Sequence, residues 1–461
     1  MTTDAAHPRQ AYEIIDGPAA WTGPEMAASS HWRHDLTAAE VADLRAAMDR
    51  VWARGLAIED VGLDDFALPV LAPVLAEVYR AVVHGHGFMV LRGLPVDEWS
   101  MADAALAYWG IGLHLGLAVP QNAAGHLIGH VRDLGYDPDD PTVRIYTTTR
   151  RQPYHTDSCD IVGLLCLQKA KAGGLSALSS SVTIYNEMLR RRPDLVEVLM
   201  RPFVYDRKGE VPPGKQETYE MAAFFKTGGL LTTILAPDFI YAAQRFDHVP
   251  RLSAAQREAL DMMQDLADSD DIRLDLTFEP GDIQLVHNHQ VLHSRTDYED
   301  HADPALKRHL LRLWLATPAG RELPEAMAER YGTVALGGMR GGIRVAGARA
   351  HVNLVPRGAA RPPGGVKSPP CSCAAALPMR CCFMSTTCRR PGRRATIFFV
   401  GRWARPIPMA GNWTAWAAAF RLCPRFCSCR RQAGRMSIST ILSARSRLTS
   451  IWWITPPIAA T

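Results

Sequence analysis

Three side chains in this 461-residue chain have the types and spacing of a metal site: His155, Asp157 and one later histidine among His287, His289 and His293. The run Gln152-Pro153-Tyr154-His155-Thr156-Asp157 predicts a strand over about 152–157. Side chains alternate on a strand, so His155 and Asp157 share one face while Thr156 points away. A histidine from a distant strand completes a triangle. Two imidazoles and one carboxylate leave about three positions open on an octahedral ion, the non-haem Fe(II) arrangement used for oxygen chemistry. A lone His-x-Asp is weak, because ordinary polar strands contain it often. Spacing alone does not choose among His287, His289 and His293.

A second constraint comes from Arg308 and Arg312 in the predicted strand Arg308–Ala316. Both arginines fall on one face, and the opposite face (His309, Leu311, Leu313, Leu315) is mostly apolar. Both faces are therefore expected to be covered, and two buried guanidiniums need anionic partners. A planar guanidinium suits bidentate capture of a carboxylate. A co-substrate with a distal carboxylate, such as 2-oxoglutarate, would supply one. Cys159 reads as a buried, inert thiol. Trp99, Trp109 and Trp314 read most simply as core; of the three, only Trp314, on the face of the arginines, is a candidate for a pocket wall.

The elements that must position these residues are legible in outline. Residues 1–35 read as irregular. Thr37-Ala38-Ala39-Glu40 and Ser253-Ala254-Ala255-Gln256 are capping boxes, opening helices that end near Gly55 and near 267. Further helices are predicted at about 72–84, 100–115 (with Ser100 as cap), 182–191 and 194–200. Residues 87–93, 161–168, 272–278 and 283–286 read as strands. Pro120 to Pro141 reads as a long active-site loop, and 203–250 as short strand-like pieces. Strands separated by helical insertions, with ligands from strands far apart, predict a mainly β protein with helical insertions (α+β), built on a jelly-roll or double-stranded β-helix.

At this point the chain resembles the taurine-dioxygenase-like (TauD/TfdA) family of Fe(II)/2-oxoglutarate-dependent oxygenases. The matching pieces occur in the family's order: Gly87-Phe88-Met89-Val90-Leu91-Arg92-Gly93, Tyr154-His155-Thr156-Asp157, Gly173-Gly174-Leu175-Ser176, Gly281-Asp282-Ile283, Leu292-His293-Ser294-Arg295-Thr296 and the Arg308/Arg312 strand. The resemblance implies a clavaminate-synthase-like double-stranded β-helix, with Fe(II) held by His155, Asp157 and His293. The His-Ser-Arg-Thr context is what selects His293. It also implies that Arg308 holds the far carboxylate of 2-oxoglutarate, that Arg312 contacts substrate or the near carboxylate, and that Ser176 hydrogen-bonds 2-oxoglutarate where a Thr is common. Leu175 departs from the family's usual Asp. O2 is the second co-substrate, succinate and CO2 are products, and Asp157, lacking in halogenating relatives, implies hydroxylation or a related oxidation of a small organic molecule.

Charge divides the chain in two. The first 344 residues carry 33 basic and 47 acidic side chains; the remainder carries 18 basic and no acidic ones. Only Cys159 and Cys166 lie in the first part, against eight cysteines from Cys371 to Cys429. We expect an oxygenase domain over 1–355 and an Arg/Pro/Cys-rich tail over 356–461, read as disordered or as wrong-frame translation of a GC-rich gene. No signal peptide or membrane span is expected, and two body cysteines fit the cytoplasm. The partner is a small molecule, not nucleic acid; oligomeric state is not readable. The rivals are a zinc hydrolase using the same triad and a nucleic-acid-binding protein driven by the basic tail.

Overall fold

The strand His309–Ala316 shows how the sequence pattern becomes architecture. Leu311, Leu313 and Leu315 point outward, packing with Leu44, Met48, Leu75, Val78 and Leu106 of the helices Ala38–Arg54, Ala72–His84 and Met101–Leu113. The alternate side chains point inward. Leu310 joins Val131, Cys166 and Phe278, and Trp314 joins Phe88, Val162, Leu178 and Val286. Both faces of this strand are thus covered, and Arg312, between Leu310 and Trp314, is drawn inside with them.

In the computed structural model, residues 12–354 are described. Two sheets enclose the inner cluster. The larger runs in the order Arg33–Asp35, Phe88–Arg92, Ile283–His287, Ile161–Gln168, His309–Ala316 and Leu117–Ala118, with Ile128–Val131 also paired to His309–Ala316. The smaller runs Leu274–Leu276, Ser176–Ser180, Val291–Arg295, Gln152–His155. Pairing is antiparallel except between Arg33–Asp35 and Phe88–Arg92. The larger sheet supplies Phe88, Val162, Val286 and Trp314 to the inner cluster, and the smaller one Leu178, Leu276 and Val291. This is a double-stranded β-helix. The outer face of the smaller sheet, through Tyr154, Ala177 and Leu292, packs on helices Ser181–Arg191, Pro193–Leu199 and Ala254–Ala267.

The predicted caps are in place. Thr37, Ser100 and Ser253 each accept the backbone N–H three residues on, a contact worth about 1 kcal/mol. Elsewhere the structure departs from expectation. Residues before 35 are not all irregular: Gly23–Ala27 is a short helix and Arg33–Asp35 an edge strand. The predicted loop 120–141 contains the strand Ile128–Val131, and 203–250 contains the helix Pro237–Ala243. The predicted strand over 272–278 shrinks to Leu274–Leu276. These misses share a cause, since each depends on a partner far along the chain rather than on local periodicity. Among the described residues, no helix is long and apolar enough to cross a membrane. The expected boundary at 355 and the tail 356–461 lie outside the described residues.

Past the last strand, the chain returns to the junction between the sheets. Gly341, at φ +81°, packs so closely that an added Cβ would stand 2.5 Å from the Ser158 carbonyl oxygen. Arg340 Nε donates to Asp160 Oδ2 at 2.8 Å, and both side chains are fully buried. Asp160 also accepts from the Thr317 N–H at 2.8 Å and faces His289 Nε2 at 2.9 Å. Removing one partner of a buried pair strands the other charge at a cost of about 3–5 kcal/mol. Arg340→Leu is therefore expected to lower unfolding free energy by about that amount in a denaturant titration. Exposed Arg80→Ala should change nothing measurable. Equal stability of the two variants would contradict the clamp.

Candidate active site

The antiparallel pairing of Gln152–His155 with Val291–Arg295 sets His155 directly opposite His293, and the two rings lie 4.1 Å apart between centroids. Register thus separates the three candidate histidines. His289 faces Asp160 in the Arg340 clamp, His287 is buried on the neighbouring strand, and only His293 meets His155. His155, Asp157 and His293 each offer a ligand atom, all within 4.8 Å of one another, the one such group among the described residues.

Asp157 arrives by a route that strand alternation does not describe. The strand ends at His155. Thr156 N–H then donates to the Leu235 carbonyl at 2.7 Å, and its hydroxyl accepts the Leu235 N–H at 3.0 Å. Asp157 N–H donates to Asn288 Oδ1 at 2.9 Å. These anchors fix the crossover from the smaller sheet to the larger one. Asp157 Oδ1 lies 4.0 Å from His155 Nε2 and Oδ2 lies 4.0 Å from His293 Nε2. The expected convergence is present, but a pinned crossover produces it.

The protonation states suit metal binding. Burial alone would raise the Asp157 carboxyl; Arg312, then His293, His155 and Arg144 outweigh it and hold the group well below the usual carboxylate range. Arg312 Nη1 stands 3.3 Å from Asp157 Oδ2, and Trp314 Nε1 donates to the same oxygen at 2.8 Å. Burial, reinforced by His155, brings His293 down to about 3. His155 Nδ1 lies 2.9 Å from the Pro153 carbonyl, so Nδ1 carries the proton and Nε2 keeps its lone pair toward Asp157. A buried carboxylate with two imidazoles is a suitable donor set for a divalent iron.

A cavity beside the triad is lined by His155, His293, Ser176, Arg295, Arg308 and Arg312 among others. Arg308 is buried, and among the described residues it has no ion pair; its Nη1 has no hydrogen-bond partner. Burial lowers its pKa, yet a guanidinium stays charged at neutral pH. A buried cation without an ion pair is costly, so this position suits an anionic ligand. Gly174 adapts the turn to this arginine: at φ +69°, an added Cβ would meet Arg308 Nε at 3.1 Å. Arg295 is held differently, donating to the carbonyls of Thr148 and Arg150 and lying over Tyr298. Ser176 Oγ donates to Gln284 Oε1 at 3.0 Å, leaving the buried Gln284 Nε2 without a partner.

Several participants carry no local sequence signal. Asn288 pins Asp157, Gln121 Oε1 accepts from Arg312 Nε at 2.8 Å, and Gln152 Nε2 lies 2.8 Å from His155 Nε2. Arg144 enters the field around Asp157 from just beyond the segment 120–141 expected to be loop. Trp314, expected as a pocket wall, also supplies a hydrogen bond to Asp157.

The chain is similar to several known proteins. The family model described as taurine catabolism dioxygenase TauD, TfdA family matches residues 53–314. FR-33289 synthase of Streptomyces rubellomurinus is 31% identical over 327 residues, covering 69% of this chain and 95% of that protein. Taurine hydroxylase-like protein SAT17 of Stachybotrys chartarum is 29% identical over 303 residues, covering 64% and 77%. A solved asparagine oxygenase with Fe(II), 3-hydroxyasparagine and succinate covers 62% of this chain and 94% of its own, at 18% identity and a TM-score of 0.49.

Because Asn288 holds the crossover, its removal is expected to loosen metal binding without touching a ligand. Asn288→Leu should weaken Fe(II) binding about 10–100-fold in an anaerobic equilibrium titration, with far-UV circular dichroism unchanged. Wild-type affinity in that variant would show that Asp157 does not depend on Asn288.

Proposed function

The chain belongs to the TauD/TfdA family of dioxygenases, and we propose that His155, Asp157 and His293 hold its Fe(II) while Arg308 holds 2-oxoglutarate. The protein is an Fe(II)- and 2-oxoglutarate-dependent oxygenase, with O2 as second co-substrate. The observation that carries the residue assignment is a buried Arg308, without an ion pair among the described residues, lining one cavity with the two histidines of the His/Asp/His group. A zinc hydrolase built on the same triad has no use for Arg308.

Each residue has a defined task in this reading. His155 and His293 offer ring nitrogens from paired strands, and Asp157 offers the negative charge. Arg308 fixes the far carboxylate of 2-oxoglutarate through charge-assisted hydrogen bonds. Ser176, with the Gln284 amide behind it, gives that carboxylate a further polar neighbour. Arg312 stays on Asp157 Oδ2, and this favours a structural and electrostatic role over one shared with substrate. Iron, 2-oxoglutarate and O2 together supply the oxidation, releasing succinate and CO2 and returning a hydroxyl group to the substrate. The protein's contribution is positioning and the exclusion of water from a cavity walled by Val131, Leu164, Phe278 and Leu310. The substrate is a small organic molecule. We assign the activity to residues 1–355, so the tail 356–461 is dispensable for it.

Succinate formation from 2-oxoglutarate, measured with Fe(II), ascorbate and O2, tests the assignment. His155→Ala and Asp157→Ala should abolish it. Arg308→Gln should raise the KM for 2-oxoglutarate by a factor of about 30–150, corresponding to the loss of about 2–3 kcal/mol of charge-assisted hydrogen bonding. Turnover independent of 2-oxoglutarate, or unchanged by these substitutions, would overturn it.

A further inference from the structure

Two spaces meet at Arg144. One is a small chamber against the metal-capable group, bordered by His155, Asp157, Phe239 and Trp314, with a volume of about 40 Å³. The other is a wider cleft of about 260 Å³, bordered by Asn122, Tyr136, Thr142 and Glu210. Arg144 and Tyr146 border both. The guanidinium lies among aromatic rings: its carbon stands 5.1 Å from the ring centre of Tyr146, 5.7 Å from that of Trp314 and 6.0 Å from that of Phe239. It is held from the cleft side. Nη1 donates to the Gln121 carbonyl at 2.8 Å and stands 3.3 Å from Glu210 Oε2, while Glu210 Oε1 accepts the Ala123 N–H at 3.2 Å. Elsewhere the chamber wall includes Arg330, which lies 5.8 Å from the Tyr219 ring centre.

We propose that the Arg144 side chain is a plug: it fills the space where the substrate must lie, and the substrate enters from the cleft by displacing it. This rests on the reading above that His155, Asp157 and His293 form the reaction site. Small-molecule sites enclose about 300–1,000 Å³. The chamber, at about 40 Å³, holds a few waters and no organic molecule. A C–H bond therefore reaches His155 and Asp157 from this side only after the guanidinium has left. Two sets of contacts hold the plug in place. Tyr146, Trp314 and Phe239 supply cation–π attraction, and Glu210 with the Gln121 carbonyl supplies charge-assisted hydrogen bonds. The exit is open as well. Glu210 borders the cleft and not the chamber, so a guanidinium that swings outward stays near its acid and no buried charge is stranded. Arg144 does not border the cavity that holds Ser176 and Arg308, so the plug acts on the substrate side alone.

Access to His155 tests the inference. The probe is diethylpyrocarbonate, applied to the metal-free full chain, with the rate of His155 modification read by peptide mass spectrometry. Exposed His84 is the internal reference, and His289, buried in the Arg340 clamp, reports any loosening of the fold. In the wild type, His155 should react far more slowly than His84. Arg144→Ala should raise the His155 rate by about tenfold or more, as expected when a local closure held by charged hydrogen bonds is lost. Arg144→Lys should keep most of the protection. Glu210→Gln, which weakens the anchor and leaves the plug side chain present, should raise the rate by less than Arg144→Ala. If His289 also reacts in Arg144→Ala, the Glu210→Gln result decides. Wild-type His155 reacting as fast as His84, or a His155 rate unchanged in Arg144→Ala and Glu210→Gln, would overturn the inference. Iron and 2-oxoglutarate play no part in this readout, so absence of 2-oxoglutarate turnover would strike the iron-site reading separately.

Discussion

Asp157 is an ionised carboxylate placed where the chain crosses between two sheets, away from water, and such a charge persists only with cations and donors around it. Arg312 and Trp314 meet one of its oxygens, and His155 and His293 stand around it. Holding that arrangement requires the inward face of His309–Ala316, the cross-strand register of His155 with His293, and the Asn288 anchor on the crossover. The Arg340–Asp160 clamp sits three residues farther on and ties the returning chain to the same crossover. Much of the fold around the interior serves to keep this one carboxylate charged and aimed.

The complementary feature is a buried cation, Arg308, with no ion pair among the described residues. Arg308 borders a cavity that touches His155. Asp160 is matched by Arg340 and Asp157 by Arg312, and Arg295 and Arg321 rest on backbone carbonyls and Gln290; Arg308 keeps an unpartnered Nη1, where a ligand would bring charge. In the reading proposed above, this is the anion position for the co-substrate, beside the metal-capable group.

Much of this was legible in the sequence where the signal is local. Capping boxes at Thr37 and Ser253 located two helices, and alternation along 309–316 revealed a strand covered on both faces, with Arg312 inside. The choice of His293 needed more than spacing; the resemblance selected it, and register with His155 gives a physical reason. What stayed hidden depends on tertiary pairing. Ile128–Val131 looks like loop until His309–Ala316 is beside it. Asp157 looks like a strand residue, although its placement comes from Leu235 and Asn288. Gln121, Arg144 and Arg330 are ordinary polar residues in sequence and become meaningful only through what surrounds them.

The most direct test of the central claim is anaerobic spectroscopy of the full chain with Fe(II) and 2-oxoglutarate, following the visible charge-transfer band that chelation of a 2-oxo acid by ferrous iron produces. The account predicts one equivalent of iron per chain and a band that saturates with 2-oxoglutarate. It also predicts no band in His293→Ala and a higher 2-oxoglutarate requirement when Arg308 is replaced. A band of wild-type intensity in His293→Ala would place the iron elsewhere and contradict the account.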